Sequence, residues 1–423
     1  MAAAVSRDNR PFQVVVWGAT GYTGRLMCEQ IAAEYPGAFR WGMAGRSRGK
    51  LEALRADLEK IDARCKDVPL IIADAADQTS IDSMVGQTDV IAACAGPFFL
   101  YGEGVVDACV RLGTQYCDIT GETPWVRDLI RKYHDAAVAK GVRIVPFCGQ
   151  DSVPSDLGTW FVVDHIKKKL NRKCDKVDAV LMRMEGGFSG GTISTAIKMT
   201  EQRTPSEMAK LLADPYHLDP PDGRRGSDGP DALMPVYHKE LRVWCGPFPM
   251  APVNTRVVRR SNALLGHAYG DDFKYSELWN RHNWLGAFLT TLVIVSIVLV
   301  VRFKFLQQLF GWFIPKPGEG PSEEDQRKGH WKYYMVGLTQ EEPGVKPKVV
   351  KAKVADPHEP YVSTARMVLE SALCLALEPD NLKKAGTLEG GVLTPATAMG
   401  PVLLHRLRKK GFTFEILESG AST

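Results

Sequence analysis

Residues 12–24 read Phe-Gln-Val-Val-Val-Trp-Gly-Ala-Thr-Gly-Tyr-Thr-Gly. A short apolar run ends in three glycines, Gly18, Gly21 and Gly24, and residues 25–34 suit a helix. This order predicts a strand, a tight turn and a helix whose N-terminus faces a phosphate group. We expect a positive φ at Gly18, room for a pyrophosphate at Gly21, and close packing of helix on strand at Gly24.

The glycine spacing, G-x-x-G-x-x-G, is a variant of the more common G-x-G-x-x-G pattern. The apolar strand before it and the helix after it therefore carry much of the inference, and a glycine-rich turn that binds nothing is the alternative. The predicted cofactor contacts of this turn are Gly18, Ala19, Thr20, Gly21, Tyr22, Thr23 and Gly24.

The next predicted strand, residues 39–44, indicates which dinucleotide is bound. NAD-specific domains place a carboxylate after this strand to bind the ribose 2′-hydroxyl, whereas this chain has Gly-Arg46-Ser47. Arg46 offers a fork of hydrogen-bond donors for a 2′-phosphate, and Ser47 adds a hydroxyl. The sequence thus favours NADP(H) over NAD(H), and the alternative is that Arg46 makes only a surface contact.

Strands and helices continue to alternate along the chain. Further strands are predicted at 68–73, 89–95, 115–118 and 143–147, with helices at 77–87, 105–112 and 125–140. Six such strands predict an α/β, Rossmann-type, doubly wound parallel sheet that binds its ligand at the carboxyl ends of the strands. At those ends we expect cofactor contacts from Asp74, Ala95, Gly96 and Pro97.

Several motifs occur along the chain: Gly18-Ala-Thr-Gly-Tyr-Thr-Gly24, Ala44-Gly-Arg-Ser47, Ala95-Gly-Pro-Phe98 with Tyr101-Gly102, Tyr116-Cys-Asp118 with Gly121-Glu122, Asp151-Ser-Val-Pro-Ser-Asp-Leu-Gly158, Gly390-Gly-Val-Leu-Thr-Pro-Ala396, Arg406-Leu407 and Gly411-Phe-Thr-Phe414. Together these motifs resemble the saccharopine dehydrogenase-like oxidoreductases, a family that includes the trans-acting enoyl reductases of bacterial lipid synthesis. The resemblance implies an N-terminal Rossmann domain, a second α/β domain, and a C-terminal segment that returns to the first. It does not imply that saccharopine is the substrate.

The expected domains are 1–155, which binds NADP, 156–355, a second α+β domain, and 356–423, C-terminal helices that pack on the first domain. In the second domain we expect helices at 155–170 and from 192, and a strand at 177–185. Further on we expect a strand at 348–355 and helices at 360–377 and 401–410. The Pro-, Gly- and Asp-rich segment 214–232 predicts a mobile loop, either a solvated insertion or a substrate cover.

Composition excludes some functions. With 423 residues, 45% hydrophobic residues and a net charge of only +4, the chain is typical of a two-domain globular protein and gives no argument for nucleic-acid binding. Nine scattered cysteines without metal-ligand spacing indicate a reducing, intracellular compartment and predict no metal site. Residues 1–11 lack a long apolar core, so we expect no secretory signal, and a short mitochondrial leader stays open.

An uncharged apolar run at 285–301 is the second unusual feature, and an aromatic-rich segment continues it to 314. As a helix, 17 residues would extend about 25 Å, the lower limit for crossing a bilayer. Flanking tryptophan and basic residues are typical of a membrane interface. A segment that dips into a membrane or coats a lipid droplet, a helix buried in the second domain, a complete span and a strand are the alternatives.

The sequence offers several candidates for the catalytic residues. Near the expected nicotinamide we consider Tyr101 as a proton donor, Asp151 and Ser152 as substrate contacts, and also Asp118 and Glu122. Each has a structural alternative, and Ser152 resembles an N-cap of the following helix. The Tyr-x-x-x-Lys pair of short-chain reductases is absent beside the nicotinamide strand.

Three functional hypotheses follow. The first is an NADPH-dependent oxidoreductase that acts on a hydrophobic or lipid-linked substrate at a membrane or lipid-droplet surface. The second is a membrane- or droplet-bound dinucleotide-binding scaffold without turnover. The third is a soluble saccharopine-type amino-acid dehydrogenase, against which the apolar run argues. Homo-oligomerisation is left open.

Overall fold

The computed structural model describes residues 9–186, 195, 198, 206–207, 213–221, 223–310 and 320–417. The chain divides into two compact units. Unit 1 comprises Met1–Gln150 and Tyr361–Leu407, and unit 2 comprises Asp151–Pro360 and Arg408–Thr423.

Strands and helices alternate through the N-terminal 150 residues. The strands are β1 (Phe12–Trp17), β2 (Trp41–Gly45), β3 (Leu70–Ile72), β4 (Thr88–Ala93), β5 (Gln115–Asp118) and β6 (Arg143–Val145). The helices are α1 (Tyr22–Glu34), α2 (Arg48–Glu59), α3 (Gln78–Val85), α4 (Phe98–Tyr101), α5 (Glu103–Leu112) and α6 (Thr123–Lys140), and a 3₁₀ turn covers Ala63–Asp67.

The rest of the chain begins with a long helix and continues through a mixed set of elements. Its helices are α7 (Val153–Leu170), α8 (Ala251–Leu264), α9 (Trp284–Arg302), α10 (Lys304–Phe310), α11 (Glu323–Lys328), α12 (Pro360–Leu377), α13 (Pro379–Lys384), α14 (Pro395–Ala398) and α15 (Gly400–Lys409). Its strands are β7 (Cys174–Glu185), β8 (Val236–His238), β9 (Val243–Pro247), β10 (Lys274–Asn280), β11 (His330–Thr339), β12 (Val349–Asp356), β13 (Gly391–Val392) and β14 (Thr413–Leu417).

Unit 1 contains a parallel seven-stranded sheet in the order β13-β6-β5-β4-β1-β2-β3. Strand order reverses between β1 and β4, which is the doubly wound arrangement of a Rossmann sheet. The buried strands are nearly continuous in apolar side chains, since helices cover both faces of such sheets. The predicted α/β, Rossmann-type fold class is confirmed.

Unit 2 contains a second seven-stranded sheet in the order β14-β12-β11-β7-β10-β9-β8. Only β7 and β10 pair in parallel, and the other neighbours are antiparallel. Helix α7 lies on one face so closely that a Cβ at Gly337 would stand 2.5 Å from Val162. The other face holds an apolar cluster of Val180, Leu241, Cys245, Leu278, Tyr334 and Val336.

The C-terminal part of the chain is shared between the two units. Strand β13 extends the parallel sheet of unit 1 by pairing with β6. Strand β14 instead pairs with β12 in unit 2. The sequence predicts that all of 356–423 forms helices on the first domain, whereas residues 361–407 belong to unit 1 and the final strand, β14, belongs to unit 2.

The apolar run forms α9, so the interpretation as a strand is wrong. Asn283 caps this helix by accepting a 2.8 Å hydrogen bond from the Gly286 amide. Ala287 and Thr290 are buried, but none of the residues 291–300 is, so the interpretation as a helix buried in the second domain is wrong for its C-terminal half. Among the residues that the structure describes, no helix combines the length and hydropathy needed to cross a membrane.

Two further expectations concern unit 2. Of the first turns of the helix predicted from 192, the structure describes residues 195 and 198, and both are helical. The 214–232 loop, predicted to be mobile, is tied to α8 by buried guanidinium groups. Arg259 lies 2.8 Å from a carboxylate oxygen of Asp228, and Arg256 pairs with Asp231.

The turn between β1 and α1 generates the first testable prediction. A Cβ at Gly24 would press against the carbonyl oxygen of Gly18, whereas a Cβ at Gly49 would meet nothing within 4 Å. We expect Gly24→Ala to lower the free energy of unfolding of unit 1 by roughly 1–3 kcal/mol, because backbone must shift to admit the methyl group. Urea denaturation followed by circular dichroism measures this.

The matched control is Gly49→Ala in α2, which should be neutral or stabilising by about 0.5–1 kcal/mol, because alanine favours helix more than glycine does. Equal effects of the two substitutions would contradict the packing argument.

Candidate active site

The glycine turn lies at the carboxyl end of β1. Gly18 has a φ of +81°, and a Cβ there would stand 2.7 Å from the Ala95 amide nitrogen. Gly21 is the N-cap of α1 and brings no side-chain cap, and the first turn of the helix holds no acidic residue. The positive end of the α1 dipole is therefore available to an anion such as a pyrophosphate.

Arg46 directly follows β2, which neighbours β1 in the sheet. Its side chain is exposed, and it makes no hydrogen bond or ion pair with any residue that the structure describes. Ser47 caps α2, with its hydroxyl accepting a 3.5 Å hydrogen bond from the Lys50 amide. The guanidinium is thus available for a 2′-phosphate, while the Ser47 hydroxyl already has a structural role.

Asp74 follows β3 and is exposed. One of its carboxylate oxygens accepts a 3.0 Å hydrogen bond from the Ala76 amide, which leaves the other oxygen for a ligand. Ala95, Gly96 and Pro97 follow β4, the neighbour of β1 on its other side. The glycine turn, Arg46 and these three residues therefore meet at one edge of the sheet, as predicted, while their contacts with a cofactor stay predictions.

Two buried carboxyl groups support the loops at this edge. Glu122 accepts hydrogen bonds from the amides of Phe98 and Phe99, at 2.8 and 2.7 Å, and so holds the start of α4. Asp118 accepts from the Tyr116 hydroxyl at 2.8 Å and from the Thr120 amide at 2.9 Å. Burial raises the pKa of each carboxyl to about 7.

These contacts give both acids a supporting role. Tyr101, at the end of α4, differs from them because its hydroxyl makes no hydrogen bond to any described residue and its side chain is half-buried. Tyr101 therefore keeps the chemical freedom that a proton donor needs.

Asp151 and Ser152 belong to unit 2. Asp151 is exposed, and Ser152 is buried. Ser152 occupies the N-cap position of α7, as expected, but its side chain makes no cap hydrogen bond. Its hydroxyl instead donates a 2.8 Å hydrogen bond to Asn254 Oδ1.

This bond leads into a buried polar network that sequence reasoning missed. Asn254 Nδ2 donates to Glu277 at 2.9 Å, and the Tyr275 hydroxyl donates to the same carboxyl at 2.7 Å. Burial raises the pKa of Glu277 to about 7. The spacing of Tyr275 and Glu277 could have placed both on one face of a strand. Their link to Ser152 has no sequence signal, because these residues lie more than 100 positions apart.

Comparison with known proteins agrees with this geometry. Residues 14–145 match the saccharopine dehydrogenase NADP binding domain. The chain is 35% identical to a trans-acting enoyl reductase of Mycobacterium leprae, over 96% of this chain and 98% of that protein. Identity to the trans-acting enoyl reductase of Mycobacterium tuberculosis is also 35%, over the same shares of both chains.

Apo saccharopine dehydrogenase (L-Glu forming) from Saccharomyces cerevisiae has the same fold, with a TM-score of 0.53 at 11% identity over 96% of this chain and all of that one. The fold and the matched domain define an NAD(P)-dependent oxidoreductase that binds NADP(H). The chain belongs to the saccharopine dehydrogenase-like family, in the group of the trans-acting enoyl reductases.

Replacing Arg46 tests the specificity assigned to it. We expect Arg46→Ala to weaken NADPH binding by roughly 10- to 100-fold, the loss of about 1.5–3 kcal/mol of charge-assisted hydrogen bonding. NADH, which has no 2′-phosphate, should bind equally well to both proteins. Isothermal titration calorimetry gives both constants.

The control is Arg48→Ala, which removes a neighbouring exposed arginine. Arg48 Nη1 lies 3.9 Å from Glu52 Oε1. Its NADPH affinity should stay within about twofold of the parent value, because surface ion pairs contribute little. An Arg46→Ala protein that loses NADPH and NADH affinity alike would contradict the 2′-phosphate contact.

The buried carboxyls predict how stability depends on pH. Between the ordinary pKa of an acid and about 7, the folded protein holds protons on Asp118 and Glu122 that the unfolded chain has released. The free energy of unfolding should therefore fall as pH rises from about 5 to 7 and then level off. Each of the two carboxyls that holds its proton only in the folded state lowers it by roughly 1.4 kcal/mol per pH unit. Glu122→Gln should flatten this slope in urea denaturation, and Glu103→Gln, at an exposed position, should not.

Proposed function

We propose that this protein is an NADPH-dependent reductase of a hydrophobic, lipid-linked enoyl or carbonyl substrate and that it works at a membrane or lipid-droplet surface in the cell. One observation supports the assignment to a lipid surface: in the apolar helix α9, none of the residues 291–300 is buried. The relatives named trans-acting enoyl reductase support the choice of an enoyl substrate.

Bound NADPH would supply a hydride, and reduction of an enoyl thioester also consumes one proton. The residues after β1, β2 and β4 would hold the cofactor, with Arg46 on its 2′-phosphate. Among the candidates, Tyr101 suits proton donation, because its hydroxyl hydrogen is not committed to another residue. Asp151, an exposed residue of unit 2, stays a candidate substrate contact from the sequence alone.

Helix α9 begins as part of unit 2. Gly246 of β9 leaves so little room that a Cβ there would stand 3.0 Å from the Ala287 carbonyl oxygen and 3.1 Å from the Thr290 Cβ. Arg281 also donates a 2.5 Å hydrogen bond to the Thr290 hydroxyl. These contacts fix the N-terminal half of the helix on β9, the strand next to the edge strand β8.

Beyond Thr290 the helix exposes apolar side chains on every side. Val293 and Val298 are 56% and 59% exposed, and Leu292, Val295, Ile297 and Leu299 are also exposed. Soluble proteins rarely leave so large a continuous apolar patch in water. At about 25 cal/mol per Å², each such side chain gains roughly 1 kcal/mol or more when lipid covers it.

Aromatic residues stand at both ends of this exposed segment. Trp284 is stacked on Phe288 at 5.3 Å before it, and Phe303 and Phe305 are exposed after it. Aromatic side chains favour the boundary between lipid head groups and acyl chains. We therefore propose that α9 lies in the outer part of a lipid layer, with its N-terminal half held by unit 2.

The activity test uses the full chain with NADPH and three probes: trans-2-decenoyl-coenzyme A, a long-chain aldehyde, and saccharopine with NADP⁺ in the oxidative direction. We expect NADPH oxidation with the enoyl thioester and a loss of at least tenfold in kcat/KM in Arg46→Ala at fixed NADPH concentration. Turnover of saccharopine alone would make the protein an amino-acid dehydrogenase. NADPH binding without turnover of any probe would favour the dinucleotide-binding scaffold.

The surface test is flotation with phosphatidylcholine vesicles. We expect the parent protein to float and Val298→Asp to remain in the dense fractions, because a carboxylate on the apolar helix opposes insertion. Val138→Asp is the matched control, since Val138 is 52% exposed on α6 of unit 1 and should float like the parent. Flotation of Val298→Asp to the same extent would overturn the lipid-surface proposal.

A further inference from the structure

Unit 2 contains a cavity of about 410 Å³ whose floor is formed by strands β7, β10 and β11. It lies on the sheet face opposite α7, where Leu278 and Leu338 contribute apolar floor residues. The segment from Ala232 to Glu240 forms its wall. The volume is in the range of sites for small molecules and molecular fragments.

Three polar side chains stand together on this otherwise apolar floor. Lys176 Nζ lies 2.9 Å from Asp178 Oδ1, and the Ser276 hydroxyl donates to the same oxygen. Asp178 is 5% exposed. Burying a carboxylate on an apolar sheet face costs free energy unless charges and hydrogen bonds compensate it. An apolar side chain at position 178 would serve the fold equally well, so the cluster of Lys176, Asp178 and Ser276 points to a role beyond folding.

The wall adds a buried histidine. His238 is 4% exposed, and its Nδ1 accepts a 3.3 Å hydrogen bond from the Leu241 amide. A neutral ring that accepts at Nδ1 carries its proton on Nε2. Nε2 lies 3.5 Å from Asp178 Oδ2 and has no hydrogen-bond partner among the described residues. It is therefore a buried donor at the cavity.

The cavity borders the surface that we propose to contact lipid. Next to the wall, Leu233 and Met234 are 69% and 59% exposed, and Val236 and Tyr237 are exposed as well. The carbonyl oxygen of Leu233 accepts a 3.1 Å hydrogen bond from Thr291 of α9. The exposed apolar helix and this exposed apolar segment thus adjoin each other, with the polar cavity beside them.

We propose that the cavity binds the head group of a zwitterionic phospholipid from the lipid layer in which α9 lies. This proposal rests on the proposed lipid-surface function. The donors Lys176, Lys239 and His238 suit a phosphate, and the acceptors Asp178 and Glu240 suit a quaternary or primary amine. An anion alone would lie beside the Glu240 carboxylate and an Asp178 carboxylate that is already paired with Lys176, whereas a zwitterion offers a positive group to the carboxylates and a negative group to the lysines.

The test is isothermal titration calorimetry of the full chain with dihexanoyl-phosphatidylcholine below its critical micelle concentration. We expect saturable binding with one lipid per chain, and at least fivefold weaker binding of dihexanoyl-phosphatidylglycerol and of inorganic phosphate. Absence of saturable binding, or equal binding of the choline and glycerol lipids, would overturn the proposal.

Variants separate the cavity from the helix. Lys239→Glu, at an exposed position of the wall, should weaken the binding of the choline lipid by roughly tenfold. Lys169→Glu, which makes the same charge change at an exposed position of α7, should leave that binding unchanged. Val298→Asp should keep the affinity for the short lipid even where flotation is lost. If Val298→Asp abolishes the heat of binding, the lipid contacts the helix and the cavity proposal is wrong.

The two proposals fail in different ways. Flotation that persists while the short lipid does not bind would overturn the head-group site alone. Binding of the short lipid that depends on Lys239, in a protein that does not float, would support the site and overturn the lipid-surface function.

Discussion

The close approach of three backbone segments at the first turn is the constraint on which the candidate site depends. Gly24 packs against the Gly18 carbonyl, and Gly18 packs against Ala95. Because no side chain separates these segments, the N-terminus of α1 lies directly beyond β1 and close to the end of β4. Arg46 follows the neighbouring parallel strand β2 and therefore lies at the same edge of the sheet.

In unit 2 the main feature is the apolar helix α9, of which the sheet covers only the N-terminal half. Ala287 and Thr290 pack on β9, and Arg281, stacked 3.9 Å from the Trp279 ring, secures the entry to the helix. After this anchored half, Thr291 donates a hydrogen bond to the Leu233 carbonyl oxygen, and none of the residues 292–300 is buried. A helix that is firmly attached at one end and apolar all round at the other is suited to join a rigid domain to lipid.

Sequence reasoning succeeded where the signal is local. Strand β5 at 115–118 and the helix at 360–377 have the predicted bounds, and the glycine turn and Arg46 meet at the sheet edge as predicted. It failed where partners are distant or elements are short. Two-residue β13 has no periodicity, and it becomes a strand only because β6 offers a free edge. The network of Ser152, Asn254 and Glu277 is likewise fixed by tertiary contact alone.

The direction of hydrogen bonds bears on the different roles proposed for Ser152, as a substrate contact, and for Tyr101, as a proton donor. The Ser152 hydroxyl donates to Asn254, whose amide in turn donates to Glu277, so the hydrogen of Ser152 is committed. In this arrangement Ser152 can accept a hydrogen bond from a substrate but is poorly placed to give up a proton. Tyr101 has no such commitment among the described residues. A phenol is a far weaker acid than a carboxylic acid, so in the proposed reaction Tyr101 would donate its proton only to a carbon or oxygen on which negative charge has developed, as after hydride transfer.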